Sequence, residues 1–229
     1  MSSTRQPGMR VLVSEAAEEW AHAYATVMAG PEGEVVYLSH MGVRSLNRPL
    51  SPAEIDAVRR AVRDVPAGSV MSPRPAAGAY VGYVCTGRVL NTASMWLGDA
   101  GVEDAAISGG GSAETVGGNA LVAVSDHADL TYRAPLWGPN RDEVGPRFPA
   151  LAGLYRPEVV KAVFPQAVVG DVAEVNCPHC PSAFEALAMQ RVSFMAATNQ
   201  LASLAILAAH AGYGLAVLLV CDGKDGSPT

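Results

Sequence analysis

Basic residues are scarce. Sixteen Lys and Arg stand against 22 Asp and Glu, for a net charge of -6, and the few that occur form no cluster. Nucleic-acid affinity comes largely from basic contacts to phosphates, so this balance excludes a nucleic-acid binder and points to a small substrate. Cysteine is also sparse: Cys85, Cys177, Cys180 and Cys221 are too few in 229 residues for a disulfide framework. The first residues, MSSTRQPGMR, lack the apolar core of a signal peptide, and a cytoplasmic location is expected. The longest apolar stretch, Leu204 to Cys221, is broken by His210 and Gly212-Tyr213-Gly214. It reads as a buried helix followed by a buried strand rather than a membrane span.

With 49% hydrophobic residues, the chain has material for one large core, and residues 1–229 read as a single domain. Strand-like runs are Arg10 to Val13, Glu34 to Ser39, Tyr80 to Cys85, Asp104 to Ser108, Ala120 to Val124, Asp171 to Val175 and Leu215 to Cys221. Helical patterns cover Glu15 to Ala29, a segment opening at Ser51-Pro52-Ala53-Glu54, Asn91 to Ala100, and Ala183 to Ala211. The alternation predicts an α/β/α sandwich around a mixed, largely parallel central sheet. Ligands of such sheets bind beyond the carboxyl ends of the strands.

Three stretches could carry chemistry. "ISGGGSAE", 107–114, follows a strand-like run, and its glycines would let a ligand approach the backbone, although it equally suits a flexible turn. "NCPHCPSAFE", 176–185, holds a Cys-x-x-Cys pair open to three readings: a redox couple, part of a metal site, or a tight loop. No second Cys-x-x-Cys or His-x-x-x-His supplies the ligands of a closed tetrahedral site, so no metal is expected. In "LLVCDG", Asp222 ends an apolar strand, where it could exchange a proton with a heterocycle or simply form an Asp-Gly turn.

The remaining oddity is Ser125 to Tyr155, a long irregular segment with four prolines lying between apolar runs. Such segments are usually functional loops or linkers, and Tyr132, Trp137, Phe148 and Tyr155 predict an ordered one. Its Asp126-His127 pair, "PLWGPN" (135–140) and "GPRFP" (145–149) closely resemble a stretch of the trimeric purine nucleoside phosphorylases and methylthioadenosine phosphorylases. The likeness extends more loosely from about Tyr80 to Asp222.

That resemblance implies a nucleoside phosphorylase-like fold, a homotrimer, and a loop lying against both the active site and the subunit interface. It implies that Arg88 in "YVCTGR" and Ser14 contact phosphate. Ser108, Gly109 and Gly110 would line the base and sugar, Phe184 would stack, and Met195 would lie beneath the ribose. Glu185 and Asp222 would hold the purine edge and handle its proton. Inorganic phosphate would be the co-substrate, with no cofactor. Other positions differ from the family: Glu15, Glu18 and Glu19 follow Ser14, Leu90 replaces a histidine, and Ala196 replaces a serine. Acidic groups at a helix start compete with a bound anion for the same positive dipole end. Three outcomes are therefore open: phosphorolysis of a purine nucleoside or 5′-modified purine nucleoside, phosphate-independent hydrolysis, or a repurposed scaffold with other chemistry or ligand binding only.

Overall fold

The computed structural model describes residues 8–14, 19–43, 48–65, 75–90, 115–116, 119–178 and 182–222. The β-branched runs form strands β1 (Arg10–Val13), β2 (Glu34–Tyr37), β3 (Tyr80–Val89), β4 (Thr115–Val116), β5 (Asn119–Asp129), β6 (Val168–Glu174), β7 (Ala196–Thr198) and β8 (Gly214–Asp222). The helices are α1 (Glu19–Ala29), α2 (Pro52–Arg63), α3 (Pro157–Val163), α4 (Ala183–Arg191) and α5 (Ala202–Ala211). The strand expected at Asp104 to Ser108 and the helix at Asn91 to Ala100 lie outside the described residues.

All eight strands belong to one sheet, in the order β2-β1-β3-β7-β6-β5-β4, with β8 bonded to both β3 and β5. The pairings β1–β2, β1–β3, β3–β8, β5–β6 and β6–β7 are parallel. Those of β3–β7, β4–β5 and β5–β8 are antiparallel, so the sheet is mixed and largely parallel, as expected. The sandwich is corrected. Because β8 joins β3 to β5 while β7 joins β3 to β6, strands β3, β7, β6, β5 and β8 close into a ring. Helices still cover two faces: α2 and α5 share one apolar core, and α1 and α3 share another.

Local chemistry explains the element ends. Ser51 caps α2 through a capping box with Glu54, with Pro52 opening the helix. α5 stops at Gly212, whose φ of 86° is the left-handed conformation that glycine adopts without strain. The apolar stretch thus splits into α5 and the buried strand β8, and no helix among the described residues is long and apolar enough to cross a membrane. The single helix expected from Ala183 to Ala211 is instead α4, β7 and α5. Ser193 takes a positive φ of 68° after α4, and the chain then extends to bridge β3 and β6.

The segment between β5 and α3 is ordered, but not chiefly by its aromatic rings. Its anchors are Val144, Leu154 and Tyr155, which are buried, while Tyr132, Trp137 and Phe148 remain 97%, 89% and 86% exposed. Arg63 donates to the Val144 carbonyl at 2.7 Å, and Leu154 and Arg156 exchange backbone hydrogen bonds with Leu215 at 2.9 Å each. Gly145 lies so close to α5 that a Cβ there would sit 1.7 Å from the His210 carbonyl oxygen. Gly145→Ala must therefore push backbone against backbone. We expect a loss of roughly 3 kcal/mol in urea unfolding, and an unchanged midpoint would show that the loop does not dock there.

Candidate functional site

The carboxyl ends of β1 and β3 are joined by a knot of small polar side chains. Ser14, just past β1, donates its backbone N–H to Val84 at 3.2 Å. Its buried hydroxyl donates to Gln200 Oε1 at 2.6 Å. The same oxygen accepts from the Thr86 backbone N–H and hydroxyl, both at 3.4 Å. Tyr83 donates its phenol to the Gln200 carbonyl at 2.5 Å, and Thr198 donates its hydroxyl to the Thr86 carbonyl at 2.8 Å. Gln200 occupies the short turn between β7 and α5.

Arg88 lies two residues beyond Thr86 on the same strand face, about 7 Å further along. It is registered with Ala197 of β7, and Leu90 donates its N–H to the Met195 carbonyl at 3.0 Å. The last β3–β8 pair is Gly87 with Cys221, so Arg88 and Asp222 come next on adjacent parallel strands. Ser14, Arg88, Met195 and Asp222 therefore gather at neighbouring strand ends. Met195 is fitted against Gly170, where a Cβ would sit 2.1 Å from its Cγ. Ser108, Gly109 and Gly110 lie outside the described residues.

Phe184 and Glu185 begin α4, which Ser182 caps: Glu185 accepts the Ser182 N–H at 2.7 Å, and Ser182 accepts the Glu185 N–H at 3.2 Å. These bonds to Ser182 hold the exposed Glu185 carboxyl below its ordinary range. Both residues are exposed, and Glu185 borders a cavity of 410 Å³ with Leu130, Asn176, Cys177 and Met189. The far end of α4 reaches the strand ends, since Gln190 donates to the Leu90 carbonyl at 2.5 Å. Leu90, where the resemblance has a histidine, is buried against Met189 and Ala197. Cys177 is disulfide-bonded, while His179 and Cys180 lie outside the described residues. No group of three or more His, Cys, Asp or Glu among the described residues could hold a metal ion.

Sequence reasoning passed over Gln200, Thr86, Glu174 and Arg133. Glu174 was placed within a strand, and a charge inside a buried strand is itself a signal. Its carboxylate is fully buried, accepts the Leu201 and Ala202 N–H groups at the start of α5 at 2.6 Å each, and pairs with Arg133 at 3.0 Å. His127 and Tyr155, both within the resembling segment, meet at 2.7 Å between Nδ1 and the phenol oxygen. Burial lowers the pKa of His127.

No protein-family model matches this chain, and no curated protein matches it in sequence. Solved structures do. A Schistosoma purine nucleoside phosphorylase in complex with guanosine is 17% identical over 66% of this chain and 52% of its own, with a TM-score of 0.45. In that match the chain spans about half the length of the phosphorylase. A Schistosoma mansoni purine nucleoside phosphorylase complexed with a monocyclic inhibitor covers 94% of this chain and 81% of its own, at 14% identity and a TM-score of 0.55. A purine nucleoside phosphorylase in complex with ribose-1-phosphate covers 96% and 81%, also at 14% identity and 0.55. The likeness establishes a purine nucleoside phosphorylase-like fold.

Burial pushes Glu174 up from 4.5 to about 7, against the opposing pull of the α5 N–H groups and Arg133. Between those values the native carboxyl holds a proton that the unfolded chain has released, so stability falls as pH rises from 4.5 through 7. The fall should amount to about 3 kcal/mol across the window, and Glu174→Gln should flatten it in urea titrations at stepped pH. A variant with the parent's slope would assign the dependence to another group.

Proposed function

We propose that the protein cleaves the N-glycosidic bond of a purine nucleoside or 5′-modified purine nucleoside, with inorganic phosphate as the attacking group. The observation that carries this reading is the gathering of Ser14, Arg88, Met195 and Asp222 at adjacent strand ends of a phosphorylase-like fold. A structural relative, a purine nucleoside phosphorylase, is in complex with ribose-1-phosphate.

Glycosidic cleavage passes through a state in which the sugar carries positive charge and the base negative charge. Stabilising that separation is the enzyme's main task. Arg88 holds phosphate against the sugar carbon, so that the displacement becomes effectively unimolecular. Met195 supports the ribose face, Phe184 stacks on the base, and Ser108, Gly109 and Gly110 complete the base and sugar contacts. Asp222 and Glu185 engage the purine edge, where proton transfer improves the leaving group. The reaction needs neither metal nor cofactor.

The assembly in this reading is a cytoplasmic homotrimer in which a neighbouring copy covers the exposed Trp137 and Phe148. These rings border an apolar cavity of 440 Å³ with Arg133, Pro135 and Leu136. Light scattering should return the mass of three chains, and a monomer in dilute buffer would remove the trimer from the reading.

One observation favours a second reading. Ser14 directs its hydroxyl proton to Gln200, and Leu90 and Ala196 carry no side-chain donor. Water could then replace phosphate, making the protein a nucleoside hydrolase, or the scaffold could serve other chemistry. Chromatography of bases released from purine nucleosides, including 5′-deoxy and methylthio forms, with and without phosphate, separates the cases. We expect phosphate-dependent release. Asp222→Ala should lower kcat/KM by about 100-fold or more with the thermal midpoint unchanged, and Arg88→Ala should raise the KM for phosphate more than that for nucleoside. Release that ignores phosphate would mark a hydrolase, and no release from any nucleoside would overturn the reading.

A further inference from the structure

Gln200 is 7% exposed, and every hydrogen bond to its side chain goes to one atom, Oε1. The orientation of the amide is fixed by chemistry. The Thr86 backbone N–H can only donate, so the atom facing it must be the acceptor oxygen. Ser14 and Thr86 then donate their hydroxyl protons to that same oxygen. Nε2, with two N–H donors, is left with no hydrogen-bond partner among the described residues. It is not one of the fully buried side-chain nitrogens that lack such a bond, so Nε2 keeps contact with solvent and its two N–H groups are open to a ligand.

The surroundings narrow what that ligand can be. Gln200 lies at the carboxyl ends of β1 and β3, and Thr86, which it contacts, shares a strand face with Arg88 two residues on. The hydroxyl proton of Ser14 is already committed to Oε1. The N-terminal N–H groups of α5, an obvious place for an anion, are taken by Glu174. Among the described groups of this knot, Gln200 Nε2 is the donor still available.

We propose that Gln200, through Nε2, is a specificity-determining hydrogen-bond donor to a tetrahedral oxyanion, with inorganic phosphate as the ligand, and that Ser14 and Thr86 aim it there. This rests on the reading of the site as a nucleoside-cleaving one that uses phosphate. The Ser14 hydroxyl then acts on the ligand through Gln200 rather than by direct donation. Glutamate at this position would keep the acceptor for Ser14 and Thr86 while replacing the donor with a negative oxygen. Methionine would remove both polar atoms at similar volume.

The test is calorimetric titration of the full chain with inorganic phosphate, alongside titration with a purine nucleoside. Gln200→Glu and Gln200→Met should each raise the Kd for phosphate tenfold or more and leave the Kd for nucleoside within twofold. Circular dichroism and the thermal midpoint identify any variant that has not folded, and the other then carries the comparison. A folded variant with the parent's phosphate Kd overturns the assignment, and so does a parent chain that binds no phosphate at millimolar concentration. Base release measured in parallel keeps the two readings apart. Nucleoside cleavage without phosphate binding sinks the role of Gln200 but not the glycosidic activity. Phosphate binding that is lost in both variants, with no cleavage of any nucleoside, supports the donor and sinks the activity.

Discussion

A carboxylate sealed from water at the end of β6 constrains everything around it. Glu174 has no exposure, and an unpaired charge in that position would cost several kcal/mol, on the order of the whole stability of a domain. It is tolerated because the first N–H groups of α5 and the Arg133 guanidinium converge on it. Arg133 also donates to the Asn199 carbonyl at 3.0 Å and to Asn176 at 3.1 Å. One buried carboxyl group thus fixes the start of α5, the turn from Asn199 to Leu201, and the root of the long loop. Gln200 sits inside that turn, so the geometry of the proposed anion site is inherited from Glu174.

The long loop shows the complementary principle, that irregular backbone can be rigid when its polar groups are satisfied. Asn140 donates to the Gly145 carbonyl at 3.0 Å, Arg141 reaches Asp56 of α2 at 3.2 Å, and the chain rejoins the sheet beside Leu215. These contacts hold the backbone without using Tyr132, Trp137 or Phe148, which stay outside. Rings of that size cover a large apolar area, and exposing them together is unusual for a surface that meets only water. Order in the loop therefore does not depend on burying its rings.

How much of this was legible in the sequence depends on length scale. β1, β8, the break at Gly212 and the Ser51 cap were readable because each rests on local chemistry: apolar runs, a left-handed glycine, a Ser-x-x-Glu spacing. The closed ring was not, since it depends on β8 choosing two partners, β3 and β5, far apart in the chain. β7 escaped because three residues, Ala-Ala-Thr, carry too little pattern to separate a strand from the helical stretches on either side. Arg88, Met195 and Asp222 could be named from the family likeness, but their juxtaposition follows from register. Gln200 carried no local signal, because its place is set by Ser14 and Glu174, both distant in sequence.

Glu185 shows how one spacing can serve two purposes. Ser182-Ala-Phe-Glu185 is a capping box by pattern, and the structure forms it, with Oε2 accepting the Ser182 N–H. A carboxylate has a second oxygen, so capping α4 does not prevent Glu185 from accepting a hydrogen bond across the cavity that it borders. It does limit the chemistry. The cap holds Glu185 in its ionised form, and an ionised carboxylate can accept from a base N–H but has no proton to give. If a purine leaves from this site, the proton that neutralises it must come from elsewhere. In the proposed reaction Glu185 therefore reads the base and is not the source of that proton.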